Sequence, residues 1–140
     1  MGANLSHEQM EHVNAYRSSM LSMMNLVLNE HALASDNAHC LNLARGRDQV
    51  EMLSDVMLIE LAKTWYATFW PLWNEHSTQQ LSTRDFIQRF RLLNIPMPPG
   101  CSSEDVCTVV ESLTEADQSN VIELFRQGMQ HVSDAKLPTE

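Results

Sequence analysis

The residue types that most often carry catalysis or bind metal ions are scattered along this chain. No histidine lies in an HExxH motif or four residues from another histidine, and no GxSxG, Walker or GxGxxG string occurs. We therefore expect a protein that is not an enzyme, with no catalytic residue, no metal ion and no cofactor. The histidines are His7, His12, His31, His39, His76 and His131.

The cysteines and the amino terminus indicate a reducing compartment. Cys40, Cys101 and Cys107 are odd in number and lack the CxxC spacing of zinc sites, so we expect free thiols. The chain does not begin with a basic residue followed by an apolar run, as a secretory signal does, and no apolar stretch is long enough to span a bilayer. The expected location is the cytoplasm.

Aromatic residues, in contrast, are concentrated in one short stretch. Five of the nine aromatics, including all three tryptophans, lie between Trp65 and Trp73. Such side chains dominate the buried centres of protein interfaces, but they also form the core between neighbouring helices. We consider both interpretations. The predicted partner-binding residues are Leu58, Leu61, Ala62, Trp65, Tyr66, Phe69, Trp70 and Trp73.

A second candidate contact is the segment RDFIQRFR. Its Arg84, Arg89 and Arg91 are three of only seven arginines in the chain. Guanidinium groups bind acidic helices of a partner and the phosphates of DNA. The favoured alternative is pairing with the acidic carboxy-terminal segment of the same chain, where each surface pair is worth less than about 1 kcal/mol.

The elements that must position these residues are helices. Apolar residues recur at spacings of three and four almost throughout, and no segment alternates with a period of two. We predict an all-α fold with two long amphipathic helices, about 6–34 and 36–70, followed by a compact three-helix carboxy-terminal part. Gly46 is the predicted soft point of the second helix. Pro71 is its predicted stop, because proline disfavours helix in the preceding residue.

Polar residues mark the predicted helix starts. Ser6 with Gln9, and Ser102 with Asp105, have the spacing of a capping box. The last two helices are joined by a tight turn at Leu113 and resemble a helix-turn-helix. However, 18 acidic against 9 basic residues give a net charge of -9, which opposes DNA binding. We favour an αα-hairpin used for packing.

The carboxy-terminal segment also carries a family pattern in the string LTEADQSNVIELFRQGMQHV, residues 113–132. The residues that carry the pattern are Phe86, Ile87, Phe90, Leu93, Ile95, Val109, Val110, Leu113, Thr114, Asp117, Ile122, Phe125, Gly128 and Val132. They resemble AsiA, the anti-sigma factor of T-even phages, over roughly residues 56–132, with one gap near Pro99. Gly128 is the least generic match, because glycine inside a helix costs about 1 kcal/mol and usually marks close packing or a helix end.

The resemblance implies an all-helical protein that forms a homodimer when alone and uses its first helix to bind the carboxy-terminal domain of the primary sigma factor. The matching helix here runs from about Val56 to Trp73. The implied domains are an extension at 1–54, an AsiA-like domain at 55–132 and a loose tail at 133–140. The family has no counterpart to the extension, and its first helix is aliphatic rather than rich in tryptophan.

We therefore expect a transcription regulator that binds a sigma factor or RNA polymerase through the aromatic helix, in an anti-sigma or polymerase-appropriation role. One alternative is a helical adaptor or secretion-type chaperone that shields a protein client. Another is a transcription-activator subunit that contacts DNA through Arg84, Arg89 and Arg91. The sequence leaves these alternatives open.

Overall fold

The part of the chain described by the structure, a computed structural model, comprises residues 5–75, 82–93 and 97–137 and folds into six α-helices. The helices are α1 His7–Glu30, α2 Ala38–Met52, α3 Asp55–Glu75, α4 Thr83–Leu92, α5 Ser103–Glu111 and α6 Glu115–Ala135. These ranges contain no strand, so the all-α prediction is confirmed. Within them, no helix combines the length and the hydropathy that crossing a membrane requires.

The most extensive contact joins α1 and α6, which pack antiparallel. The Gln9 side chain in the first turn of α1 donates a hydrogen bond to the carbonyl oxygen of Ala135, at the end of α6, at 3.0 Å. Further along, a Cβ atom on Gly128 would lie 2.6 Å from Met20 Cε. Close packing is therefore the reason for this glycine, as the sequence predicted.

Two helices, α2 and α3, replace the single helix predicted over 36–70. Where α2 ends, the Arg17 guanidinium of α1 donates hydrogen bonds to the carbonyl oxygens of Val50, at 2.6 Å, and Leu53, at 2.9 Å. A continuing helix would use these carbonyls for its own hydrogen bonds. The break is thus stabilised by tertiary contacts, and Gly46, the predicted soft point, lies inside α2.

Two other helix ends also differ from the prediction. α1 ends earlier, at Glu30, whereas α3 continues through Pro71. Proline removes a backbone donor from a helix. In the next turn, however, the Trp73 ring contacts Phe86 with a centroid distance of 5.6 Å. This contact stabilises the last turn of α3 and offsets the backbone hydrogen bond that the proline cannot donate.

The predicted capping boxes at the starts of α1 and α5 are confirmed. Ser6 with Gln9, and Ser102 with Asp105, form reciprocal capping boxes, and the Thr114 side chain caps α6. The connection between α5 and α6 is short, as predicted. However, α5 packs mainly on α2 and α4, while α6 packs mainly on α1 and α3. The two helices do not pack along their whole length, but side chains of both, such as Val110 and Val121, line one cavity beyond the turn.

Both predicted parts of the chain contribute to one hydrophobic core, which includes buried residues of all six helices. Side chains of the extension, 1–54, therefore share a core with those of 55–132. α6 continues into the predicted loose tail as far as Ala135, which is buried. Residues 138–140 of that tail lie outside the described ranges.

Candidate functional site

α3 carries all eight predicted partner-binding residues and turns one side into the core. Leu58, Ala62, Trp65 and Phe69 are buried on that side. Their spacings of three and four residues place them on one helix face. These four predicted partner-binding side chains are therefore not exposed in this fold, because they pack against other helices.

Trp65 and Phe69 belong to an aromatic cluster that joins α3, α4 and α6. The Phe69 ring lies 5.0 Å from Phe125 and 5.3 Å from Phe90, measured between ring centroids. The Trp65 ring lies 5.5 Å from Phe125. Aromatic pairs at such distances stabilise a fold beyond the burial of their surface. This part of the aromatic stretch builds the core, which was the alternative interpretation of the sequence.

The other four predicted residues, Leu61, Tyr66, Trp70 and Trp73, are only partly buried. The Tyr66 and Trp70 rings stack with a centroid distance of 5.3 Å. The Tyr66 hydroxyl donates a hydrogen bond to Ser133 Oγ of α6 at 3.2 Å. These side chains border the core, and they are the members of the predicted set that solvent still reaches.

The solvent side of α3 carries exposed apolar residues. Val56 and Met57 in its first turn are 54% and 58% exposed, and Met52 at the end of α2 is 76% exposed. We call these three residues the apolar patch. The sequence pattern places Met57 in the buried stripe, four residues before Leu61 and eight before Trp65. Each four-residue step turns about 40° around a helix, so Met57 points about 80° away from Trp65.

A groove with a volume of about 450 Å³ lies between α3 and the end of α6. Its size is within the range of ligand sites. Lys63 and Lys136, the only two lysines of the chain, line it together with Tyr66 and Ser133. Lys63 Nζ also lies 3.7 Å from the Glu60 carboxylate. The groove thus gathers positive charge and hydroxyl groups on a chain whose net charge is -9.

The three arginines of the predicted secondary contact differ in their surroundings. Arg91 donates hydrogen bonds to Glu111 at 2.9 and 3.0 Å and to Glu104 at 2.9 Å. The hydrogen bond with Glu111 is the largest cause of a raised pKa for Arg91, and it lowers the pKa of Glu111. The intramolecular alternative is confirmed for Arg91. Arg84 and Arg89 are exposed and form no ion pair with the described residues.

Several histidine and cysteine side chains pair locally. His39 Nδ1 lies 2.8 Å from Asp105 Oδ1 and joins α2 to α5, while Cys40 Sγ lies 3.7 Å from the His31 ring. All three cysteines are buried, and burial raises the pKa of Cys107 to about 12, so its thiol stays protonated at neutral pH. Over the described ranges, no group of three or more His, Cys, Asp or Glu side chains is placed to hold a metal ion.

No protein-family model matches this chain, and comparisons with curated proteins and with solved structures give no match. The resemblance to AsiA therefore stands on the sequence pattern alone. In the fold, its best-matched segment forms α6, where Phe125 and Val132 are core residues and Gly128 allows α1 to approach. These matching residues serve helix packing.

Proposed function

We propose that this protein is a cytoplasmic, non-enzymatic transcription regulator that binds a sigma factor or RNA polymerase through α3. The observation that carries the proposal is the apolar patch, because each of its three side chains is more than half exposed. The three residues lie within six positions of each other in sequence, at the junction of α2 and α3, whereas exposed apolar residues scattered singly over a surface are ordinary. The resemblance to AsiA assigns sigma-factor binding to this same helix.

The proposed binding surface combines the apolar patch with the groove between α3 and α6. Val56, Lys63 and Ala67 follow each other at spacings of seven and four residues, so they lie along one side of α3. The patch contributes apolar burial, worth roughly 25 cal/mol per Å². Lys63 and Lys136 offer charge partners to acidic residues. Binding through this surface leaves the aromatic core closed.

The proposed mechanism is competition. The carboxy-terminal domain of a sigma factor uses its own grooves to contact polymerase and promoter DNA, and an occupied groove changes promoter choice. In the absence of that partner, the same surface of α3 pairs with a second copy of the chain. The homodimer and the sigma complex then exclude each other, because both cover Val56 and Met57.

Isothermal titration of the full chain with the purified carboxy-terminal domain of a primary sigma factor tests the proposal. Met57→Asp and Val56→Asp introduce a charge into the apolar patch and, because both residues are exposed, leave the fold intact. Leu92→Asp is the matched control, since Leu92 is 82% exposed on α4. We expect the control to bind like the wild type and each patch variant to lose at least about tenfold in affinity.

Two results would overturn the proposal: a wild-type chain that binds neither the sigma domain nor polymerase, or folded patch variants that bind as tightly as Leu92→Asp. Circular dichroism establishes that each variant is folded. Size-exclusion chromatography with light scattering tests the homodimer separately, because Met57→Asp should shift a dimer to monomer at equal protein concentration while Leu92→Asp does not.

One observation favours a second function, a helical adaptor or secretion-type chaperone. Met52 and Met57 supply two of the three side chains in the apolar patch, and flexible thioether side chains suit surfaces that adapt to several clients. Pull-down from a bacterial lysate followed by mass spectrometry separates the functions. Sigma factor or polymerase supports the regulator, whereas an effector or filament protein lost with Met57→Asp supports the adaptor.

A third candidate function is a transcription-activator subunit, which the exposed side chains of Arg84 and Arg89 favour. Binding of promoter DNA with a steep salt dependence, weakened by Arg84→Gln or Arg89→Gln, would support it. The net charge of -9 disfavours this outcome, because repulsion from the phosphates acts on the whole chain.

A further inference from the structure

A pair of histidines lies between the first and the last helix, on the side of α6 that faces α1. His12 Nδ1 and His131 Nδ1 are 3.4 Å apart, and the ring centroids are 5.7 Å apart with an angle of 38° between the planes. Both side chains are partly buried. The hydrogen bond from Gln9 to Ala135 fixes the two backbones one turn away. The facing ring nitrogens are therefore a defined feature of the α1–α6 contact.

The separation of these nitrogens fits a shared metal ion better than a hydrogen bond. Hydrogen bonds of N–H donors in proteins are usually about 2.7–3.2 Å long between heavy atoms. Zinc–nitrogen distances of about 2.0–2.1 Å and a tetrahedral angle place two histidine nitrogens about 3.3–3.4 Å apart. The Nδ1 atoms of His12 and His131, 3.4 Å apart, already have that spacing.

The charges around the pair favour a cation. Glu8 precedes His12 by four residues and Asp134 follows His131 by three, so each carboxylate lies one turn from its histidine on the same side of the helix. Both carboxylates are exposed, and neither forms an ion pair with the described residues. Asp134 accepts a hydrogen bond from Gln130 at 3.1 Å.

We propose that His12 and His131 bind a divalent transition-metal ion of the zinc, copper or nickel class. Imidazole is a preferred ligand of these ions. Because the described residues place no third ligand beside the pair, water completes the coordination. The bound ion links the first helix of the chain to the last. Coordination requires neutral imidazole nitrogens, so protons compete with the metal ion.

Isothermal titration of the full chain with zinc chloride alone tests this site. We expect one ion to bind per chain, and binding to be lost in both His12→Gln and His131→Gln. His7→Gln is the matched control, because His7 is an exposed histidine of the same helix that is not part of the pair. Binding by the two pair variants that equals the binding by His7→Gln would overturn the proposal, as would a wild-type chain that binds no zinc.

A second measurement uses only the wild-type protein, so it does not depend on whether the variants fold. Paramagnetic nickel broadens the proton resonances of the side chains that coordinate it before those of other residues. In the wild-type protein, the imidazole signals of His12 and His131 should broaden first as nickel chloride is added. Broadening that starts at His7, His31 or His39 would refute the assignment even if the glutamine variants are unstable.

Discussion

Truncation of Phe69 to alanine tests whether the inner side of α3 belongs to the core. The side chain is 0% exposed, and its ring contacts those of Trp65, Phe86, Phe90 and Phe125 with centroid distances from 5.0 to 6.1 Å. Truncation of a buried phenylalanine costs about 3–5 kcal/mol. Because four ring contacts are lost together, we expect the upper part of that range, about 4–5 kcal/mol.

Urea denaturation followed by circular dichroism measures this loss in the free energy of unfolding. Domains of this size usually have about 5–15 kcal/mol of stability, so this loss would remove from about a third of the stability to nearly all of it. Met57→Ala is the matched control on the same helix, because its side chain is 58% exposed and its loss should stay within about 0.5 kcal/mol. A loss below about 1 kcal/mol for Phe69→Ala, or equal losses for the two variants, would refute the division of α3 into an inner and an outer side.

Three further outcomes follow from the packing and the charges. Helix propensity alone predicts that Gly46→Ala raises the free energy of unfolding by about 1 kcal/mol. However, the new Cβ would lie 2.7 Å from Cys101 Cβ, and overpacking of this kind costs about 1–3 kcal/mol, so we expect a net loss of up to about 2 kcal/mol, measured by thermal unfolding. Arg91→Gln should cost up to about 1 kcal/mol at low salt and less at high salt, because its ion pairs are partly exposed. Burial alone raises the pKa of Asp105, but hydrogen bonds from Ser102 and His39, together with Asn42, outweigh it and lower the pKa. Folding therefore favours the ionised carboxylate, and this stability is present at neutral pH and lost as the pH falls below about 4. Asp105→Asn should weaken that acid dependence in urea titrations at successive pH values.

Each of these outcomes has a contrary result. A stabilised Gly46→Ala would show that the loop at Cys101 yields without cost. A loss for Arg91→Gln that is independent of salt would point to packing of its side chain rather than to charge. An unchanged slope of stability against pH in Asp105→Asn would mean that this carboxylate has the same pKa in the folded and unfolded chain.

Helix starts could be read from the sequence because their determinants are local. Ser6 and Gln9 are three residues apart and satisfy each other's backbone groups without help from the rest of the fold. The break between α2 and α3 has one local marker, because the Ser54 hydroxyl accepts a hydrogen bond from the Met57 N–H at 3.3 Å at the start of α3. The end of α2 depends in addition on Arg17, which reaches the carbonyl oxygen of Val50 from another helix, 33 residues away in sequence. Periodicity alone therefore predicted one helix where the structure has two.

The candidate site was only partly predictable, because core packing and interface formation require the same residue types. The sequence pattern selects α3 for the proposed site but does not distinguish Phe69, which is buried, from Trp70, which is half-buried. Which side of α3 faces solvent depends on the positions of α4 and α6, and tertiary packing, not the local sequence, determines those positions. The pair of His12 and His131 joins residues 119 positions apart, so no local spacing reveals it.

If α3 binds a partner as proposed, variants of its two sides should affect binding in different ways. The inner side anchors α3 to α4 and α6 through the contacts of Phe69 with Phe90 and Phe125. The outer side is thus presented in a fixed orientation, and a fixed surface loses less conformational freedom on binding. A core variant such as Phe69→Ala then weakens binding only through the fraction of molecules that are folded, because the apparent dissociation constant is the intrinsic one divided by that fraction. Under stabilising conditions, such as an excluded osmolyte at about 15 °C, Phe69→Ala should recover the affinity of the wild type, whereas Met57→Asp should not. A folded Phe69→Ala variant that still fails to bind would place the buried ring in the interface and require α3 to leave the core when the partner binds.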